Sequence, residues 1–330
     1  MLRDLLKTLY NQYIAPEVGV KSVVGASMLV IGAVIYLINI NVYHYQGEMQ
    51  FGWVFLKYLP VYILLYVMSL YIRMEYPRIA LFFNTLGQLS FVAVVTQFLL
   101  TMVQYTPFDL YDSLLHRLDL MLGYHGDVVF AWSQAHPGFF WFFNFMYSKL
   151  YLELLLTPLL LALFIQRRQV DVFLLACLIA SLLGFVIYYF FPTTNPAAVM
   201  TGVHFFPVQY HEVSQFMQLH SHQRITHYVG GIIGFPSFHV IWAILLTLAY
   251  QKNKVLFFFS IIFNSLIVVS TLVLNWHYLM DVIGGVIVAW FAWAMAQRYS
   301  SVHDFQKLSV ISFPKVPFIS SIIAVLVKQR

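Results

Sequence analysis

Charged side chains are scarce in this chain: Asp, Glu, Lys and Arg make up 9% of its 330 residues, whereas hydrophobic residues make up 61%. An ordinary soluble domain carries about 25% charged residues, so this composition excludes that class of protein. The chain has instead a series of apolar runs of about 20 residues, the length that crosses roughly 30 Å of hydrocarbon. The sequence therefore predicts an all-α, polytopic membrane protein.

Cysteine is nearly absent as well. The single Cys177 lies in the middle of an apolar run, which excludes an intramolecular disulfide and gives no indication of the redox compartment. A cleavable signal is not expected either, because residues 1–20 are of mixed polarity and no small-residue cleavage site follows them. Apolar residues recur there at helical spacing, which indicates either a short helix in the membrane surface or a disordered tail: Leu2, Leu5, Leu6, Leu9 and Tyr13.

Eight apolar segments are predicted to span the membrane. They cover residues 21–41, 52–72, 79–104, 138–166, 170–191, 236–251, 255–274 and 276–297. The fourth is longer than a span requires, which predicts a tilted helix or one that begins above the bilayer. No internal repeat and no low-complexity linker divides the chain.

Basic residues orient these spans, because segments that stay in the cytoplasm are enriched in Lys and Arg. Arg117 and Arg224 fall in the loops of one side. The loops and ends of the other side carry Arg3, Lys7, Lys21, Arg73, Arg78, Arg167, Arg168, Lys252, Lys254, Arg298, Lys307, Lys315, Lys328 and Arg330. Both termini are therefore expected in the cytoplasm. The formal net charge of +5 reflects this topology and attraction to membrane lipids, with no indication of nucleic-acid binding.

Histidine is distributed the other way, since eleven of the twelve histidines, all but His303, lie in or beside the non-cytoplasmic loops. The longest of these loops covers residues 192–235. Its HSHQRITH sequence could be read as a set of metal ligands, but the spacing fits no tetrahedral site and no cysteine or carboxylate pair accompanies it. Solvated loop histidines are the better interpretation, and any chemistry is expected on this side.

Three polar segments are predicted to lie at the same depth on that side, namely FPTTNP at 191–196, GFPSFH at 234–239 and NWHYLMD at 275–281. Pro236 suits the first position of a helix, where its missing N–H costs nothing. The free amides of such a helix start, together with the small hydroxyl of Ser237, would form a phosphate cradle.

His277 and Asp281 are four residues apart, so their side chains would share one face of a helix for which Asn275 is a suitable cap. A carboxylate that accepts an imidazole N–H fixes the tautomer and leaves the other ring nitrogen free to attack or to take a proton. The pair alone could equally be a structural hydrogen bond. A second histidine, His239, at the same depth favours a functional site, because ionisable groups are costly inside a membrane.

These residues resemble a known family. PSFH followed about forty residues later by HYLMD looks like the second and third signature motifs of the type 2 phosphatidic acid phosphatase superfamily, in particular its inositol phosphorylceramide synthase-like branch. The upstream sequences YDSLLHRLDLMLGYHGDVVFAWSQAHPGFFWFFNFMYSKLYL and FPTTNP are similar to the segments that precede the active site in that branch. The resemblance covers roughly residues 105–297.

The resemblance implies a domain organisation. Residues 79–297 would form a six-helix lipid phosphatase or phosphotransferase core. Residues 1–104 would supply the surface helix and the first three spans, two of which are extra to the core. Residues 298–330 would form a cytoplasmic tail, whose final apolar run is too short to span.

The resemblance also implies catalytic roles. His277 would be the nucleophile that takes up the phosphoryl or phosphodiester group, Asp281 would orient it, and His239 would donate a proton to the leaving oxygen. No metal and no cofactor would be required. The substrate would be a lipid phosphate, diphosphate or phosphodiester, the acceptor would be water or an alcohol such as inositol, and the active site would be periplasmic or lumenal.

The chain departs from the family pattern in its basic residues. The phosphatases of the family have a Lys, six residues and Arg-Pro before the second motif, which nothing here matches, and Ser270 and Thr271 stand where the third motif has Ser-Arg. Phe238 replaces the glycine of Pro-Ser-Gly-His. Arg224 and Lys149 are the candidates to bind the substrate phosphate instead, although Arg224 could be a surface residue and Lys149 could form a structural ion pair with Glu153.

A different class of function is a non-enzymatic transporter or metal-binding membrane protein, with the histidines along a pathway. A conduction path needs polar groups at several depths, whereas these ionisable residues cluster at one face. The enzyme is therefore the favoured hypothesis, and the missing basic motifs favour head-group transfer over simple phosphatidate hydrolysis.

Overall fold

The apolar runs form helices in the computed structural model of the chain, because a helix satisfies its own backbone donors and acceptors in lipid. The structure describes residues 19–45, 57–72, 75–164, 166–223, 225–226 and 233–300. Within these ranges there are twelve α-helices, one 3₁₀ turn at Pro196–Ala198 and no strand. They belong to one unit, Val18–Ser300. The predicted surface helix and carboxyl tail lie outside the described residues.

Twelve α-helices are described along the chain. They are α1 (Val20–Asn41), α2 (Leu59–Ile72), α3 (Pro77–Val103), α4 (Asp112–Met121), α5 (Gly126–Ala135), α6 (Pro137–Ser148), α7 (Leu150–Leu163), α8 (Arg167–Phe190), α9 (Pro207–His220), α10 (Phe238–Ala249), α11 (Lys254–Val273) and α12 (Leu279–Tyr299).

The prediction of an all-α, polytopic membrane protein is confirmed. Among the described residues, α1, α3, α8, α11 and α12 are each long and apolar enough to cross a membrane, and the bent pair α6 and α7 is either a sixth, broken span or a re-entrant loop. The other two predicted spans contain the shorter apolar helices α2 and α10. The segment predicted at 52–72 begins before the described part of α2.

The fourth predicted span is two helices. The axes of α6 and α7 meet at 42°, and the break falls at Lys149, which ends α6 and precedes α7. The Ser148 hydroxyl donates to the Phe145 carbonyl at 2.7 Å, a local side-chain bond of the kind that competes with the helical ladder. The segment therefore bends at Lys149, and the tilt or the start above the bilayer stays a prediction.

Helix α8 lies at the centre of the bundle and packs against α1, α3, α7, α10 and α12. At its carboxyl end Gly184 admits the ring of Phe238, since a Cβ added to this glycine would lie 2.6 Å from the ring. The Phe238 ring also packs at 4.8 Å between ring centroids on Phe185. This fit fixes the start of α10 against the end of α8.

The other end of α8 holds the amino-terminal helix. Lys21, at the start of α1, has its Nζ 2.6 Å from Oδ1 of Asp171. Arg167 of α8 approaches the other oxygen of Asp171 at 3.6 Å. A shared carboxylate therefore ties α1 to the core.

Candidate active site

The three polar segments meet at one end of the bundle. The amide of Gly234 donates to the carbonyl of Thr193 at 3.1 Å, and a Cβ added to Gly234 would lie 2.4 Å from the Thr194 carbonyl. The amide of Ser237 donates to the Asp281 carbonyl at 3.1 Å. Backbone contacts thus join FPTTNP to GFPSFH and GFPSFH to NWHYLMD.

His277 and Asp281 form the pair that their spacing predicted, in a different local geometry. His277 precedes α12, and its Nδ1 lies 3.1 Å from Oδ2 of Asp281 in the first turn. The same oxygen accepts the amide of Tyr278 at 2.9 Å, so Asp281 also caps the helix. Asn275 was expected to be the cap, and this was wrong: it lies in a turn with a φ of 53°.

His239 lies in the first turn of α10, with its ring centroid 5.8 Å from that of His277. The ring stacks on Tyr147 at 4.2 Å. Its buried Nε2 has no hydrogen-bond partner among the described residues. Because Nδ1 of His277 faces Asp281, the two histidines offer ring nitrogens that are not used by the fold.

Pro236 and Ser237 do not form the helix start that the sequence suggested. Pro236 follows a cis peptide bond and precedes the cap, and the first helical residue is Phe238. Ser237 is the cap itself, fully buried, with its Oγ accepting the amide of Val240 at 3.4 Å. The prediction that Pro236 is the first helical residue was therefore wrong, and the Ser237 hydroxyl caps α10.

Both histidines line one cavity of about 320 Å³. Helix α3 contributes Thr96, Gln97 and Leu100 to its wall. The other described lining residues are mainly aromatic or polar, and none of them is Lys or Arg: Tyr147, Tyr151, Phe185, Thr194, Glu212, Ile233, Phe238, His239, Trp242, Trp276 and His277. The cavity thus combines two imidazoles, one carboxylate and several hydroxyl and indole groups.

Of the two basic residues proposed for phosphate binding, the structure describes only Lys149, which does not line this cavity. Lys149 places its Nζ 4.2 Å from the centroid of the Phe145 ring and is not among the lining residues. Glu153 accepts from Asn264 at 3.0 Å, and the described structure contains no ion pair between it and Lys149. Arg224 lies outside the described residues.

Two aspartates of α4 hold the site together and were missed in the sequence. Asp119 accepts the amides of Leu279 and Met280 at 2.8 and 3.0 Å, at the start of α12. Burial raises the pKa of this carboxyl, while the two amides oppose the rise. A carboxylate facing free amides at a helix start is stabilising. Asp119 therefore fixes the helix that carries Asp281.

Asp112 connects two of the polar segments. Its carboxylate accepts the amide of Thr194 at 3.1 Å and the hydroxyl of Tyr278 at 3.1 Å. Burial raises its pKa to about 7 against the effect of these bonds. Asp112 and Asp119 are seven residues apart on one face of a short helix. Their burial and their distant partners, which only the tertiary structure shows, place them in the site.

Glu212 of α9 was also missed. It lines the cavity with His277, and its Oε2 accepts from Nδ2 of Asn195 at 2.9 Å. Burial raises its pKa to about 7, against the opposing effects of Asn195 and His277. A carboxylate in the long loop gave no motif by itself, so only the tertiary structure shows it.

The described residues contain no group of three or more His, Cys, Asp or Glu side chains that could hold a metal ion. Of the loop histidines once considered as ligands, His220 is 3.8 Å from Asp109, and the ring of His222 stacks on Tyr45 at 4.3 Å. His227 lies outside the described residues.

The apolar helices indicate an integral, multi-pass membrane protein, with two histidines close together at one end of the bundle. A family model of the PAP2 superfamily matches residues 113–295. This is more than half of the chain, which therefore belongs to the PAP2 superfamily. The match includes all three polar segments and leaves α1, α2 and α3 outside. Comparison with curated proteins and with solved structures found no match.

Membership confirms the superfamily that the motifs indicated and supports an activity of the phosphatase or phosphotransferase type. The inositol phosphorylceramide synthase-like branch remains a prediction. The division into residues 1–104, 79–297 and 298–330 also remains a prediction.

Proposed function

We propose that the protein is a lipid phosphatase or head-group phosphotransferase that acts through a phosphohistidine intermediate. The observation that carries the proposal is the placement of His239 and His277 in one cavity, with ring centroids 5.8 Å apart and His277 bonded to Asp281. Two such groups can act on one phosphorus atom from the attacking and leaving sides.

In the first step Nε2 of His277 attacks phosphorus, forming the N–P bond while the bond from phosphorus to the leaving oxygen breaks. Asp281 accepts a hydrogen bond from the Nδ1–H of His277 and stabilises the positive charge that develops on the ring. His239 gives a proton to the leaving oxygen. In the second step water or an alcohol attacks phosphorus and gives its hydroxyl proton to a base in the cavity, the N–P bond breaks, and His277 is regenerated. His239 then regains a proton from solvent. The residues act without a metal or cofactor.

The cavity supports a lipid phosphodiester as the substrate more than a phosphate monoester. A dianionic monoester would be balanced best by cations, and the described lining residues include neither Lys nor Arg. A phosphodiester carries one negative charge, which N–H and O–H donors can offset. This favours transfer to an alcohol acceptor over hydrolysis of a phosphate monoester.

The proposed orientation places the site on the periplasmic or lumenal side. The ends of the helices remote from the cavity carry Lys21, Arg78, Arg167, Lys252 and Lys254, and such residues favour the cytoplasmic side. Both termini would then be cytoplasmic. Cysteine-accessibility labelling of the α4–α5 loop in right-side-out vesicles would test the assignment.

The nucleophile is tested with purified protein in detergent, supplied with phosphatidic acid and with phosphatidylinositol carrying radiophosphorus. His277→Ala should lower turnover by about 10³-fold or more and remove the label from the protein. His204→Ala, which changes an exposed histidine outside the cavity, is the matched control. Turnover by a folded His277→Ala protein at the rate of the control would refute the mechanism.

A further inference from the structure

Glu212 occupies an unusual position for a site that handles phosphate. It lies on α9, between FPTTNP and GFPSFH in the chain, and lines the cavity beside His277. It is the only carboxylate among the described lining residues. A negative side chain near a bound phosphate is repulsive, by about 1 kcal/mol at 4 Å in water and more when partly buried. Its role is therefore expected to differ from phosphate binding.

The side chain of Glu212 is held by one oxygen. Nδ2 of Asn195 donates to Oε2 of Glu212 at 2.9 Å and to the carbonyl of Gln209 at 3.0 Å. Oδ1 of Asn195 accepts a hydrogen bond from the amide of Ala197, also at 3.0 Å. Among the described residues no hydrogen bond reaches Oε1 of Glu212. The carboxylate is thus oriented, with one oxygen left for a ligand.

The same contacts couple Glu212 to the loop of His277. The carbonyl of Asn195 accepts the hydroxyl of Tyr278 at 3.3 Å. Nε2 of Gln209, one turn before Glu212 on α9, donates to the carbonyl of Asn275 at 2.8 Å. Asn275 and Tyr278, on either side of His277, are therefore hydrogen-bonded to Gln209 and Asn195. These contacts hold Glu212 in a fixed position relative to His277.

We propose that Glu212 binds the hydroxyl group of the acceptor and takes its proton during the second half-reaction. The hydroxyl oxygen forms the new bond to phosphorus, the N–P bond to His277 breaks, and the hydroxyl proton passes to Oε1 of Glu212. The imidazole regains its lone pair, and the proton later leaves to solvent. This inference rests on the proposed function, whose first half-reaction it leaves to His277 and His239.

The environment of Glu212 suits proton transfer near neutral pH, since a base works best when its pKa is close to the working pH. Burial raises the pKa of Glu212 to about 7. The titratable groups that share the cavity with it are Tyr147, Tyr151, His239 and His277. Because the base must be ionised, the second half-reaction should be slow below about pH 7 and rise through it.

The experiment separates the two half-reactions in Glu212→Gln. The amide oxygen of Gln can still accept the hydrogen bond from Asn195, so the side chain keeps its position while the base is lost. With radiophosphorus-labelled phosphatidylinositol, labelling of His277 should proceed within about twofold of wild type. Release of label to inositol or water should fall by about 10²-fold, so that labelled protein accumulates and the rise in release with pH disappears.

Asp109→Asn, at an exposed carboxylate 3.8 Å from His220, is the matched control and should behave as wild type. Equal effects of Glu212→Gln on labelling and release, or no effect on either, would overturn the proposed role of Glu212 and leave the proposed function standing. Glu212→Asp, which shortens the side chain and keeps the base, should restore part of the release and its pH dependence. Absence of labelled wild-type protein, or label that persists in His277→Ala, would overturn the proposed function itself.

Discussion

Buried carboxylates have different partners at the two ends of α8. At the amino end Asp171 is paired with the cations Lys21 and Arg167, and a small cavity of about 50 Å³ there is lined by Arg168 and Lys252 among others. At the carboxyl end the buried aspartates accept hydrogen bonds from amide, hydroxyl and imidazole groups. The bundle therefore uses cations for holding helices together and N–H or O–H donors for building the site.

This difference bears on the proposed substrate. A carboxylate that accepts hydrogen bonds from backbone amides is stabilised without a Lys or Arg beside it. The aspartates near the cavity therefore require no cation close to the two histidines. A nearby cation would disfavour a protonated His239, which the proposed mechanism requires as an acid. Three substitutions test the contrast between the two ends.

The largest effect is expected for Asp281→Asn. The amide oxygen can still accept from Tyr278, but the charge that holds the His277 tautomer is lost, and turnover should fall by about 10³- to 10⁴-fold with the fold retained. Turnover on phosphatidylinositol, with a thermal unfolding curve as control, measures it. A fall of less than about tenfold would mean that Asp281 only caps α12.

A smaller effect is expected for Asp119→Asn. The amide keeps one acceptor for Leu279 and Met280 and loses the charge at the start of α12. Displacement of Asp281 by a fraction of an ångström should lower turnover by about 10- to 100-fold. Asp127→Asn, in the first turn of α5, provides the comparison. If both variants turn over substrate alike, the Asp119 contacts do not position the site.

The smallest effect on activity is expected at the opposite end. Lys21→Met removes the cation from Asp171 and should destabilise the docking of α1 by about 1–2 kcal/mol, seen as a lower thermal midpoint, while turnover changes less than twofold. Lys254→Met, an exposed cation at the start of α11, should leave both quantities unchanged. A large loss of turnover in Lys21→Met would show that the two ends are coupled.

Local pattern was enough to predict the helical class and the His277–Asp281 pair, because both depend on residues close in sequence. It failed where distant partners decide. Asn275 and Pro236 have the chemistry of a helix cap and a first helical residue, yet the contacts between the polar segments put each of them outside its helix. Local propensity is a weak prior against such contacts.

Other parts of the site could not be reached from local pattern at all. Asp112 and Asp119 act on amides more than 80 residues away in the chain, and hydrogen bonds to backbone groups leave no trace in the partner's side chain. Glu212 is identified only by the cavity it lines. The break at Lys149 lies inside a continuous apolar run, so hydropathy alone predicts a single span there.

The fit of Phe238 against Gly184 constrains how this sequence can change. Replacing Phe238 by the glycine usual in the family's motif would leave an unfilled space beside α8, whereas any side chain at position 184 would collide with the ring. The two positions are therefore expected to substitute together, and a member of the superfamily that has glycine in the motif should carry a bulkier residue at the position of Gly184. The departure from the usual motif is thus matched in this chain by a glycine more than fifty residues earlier.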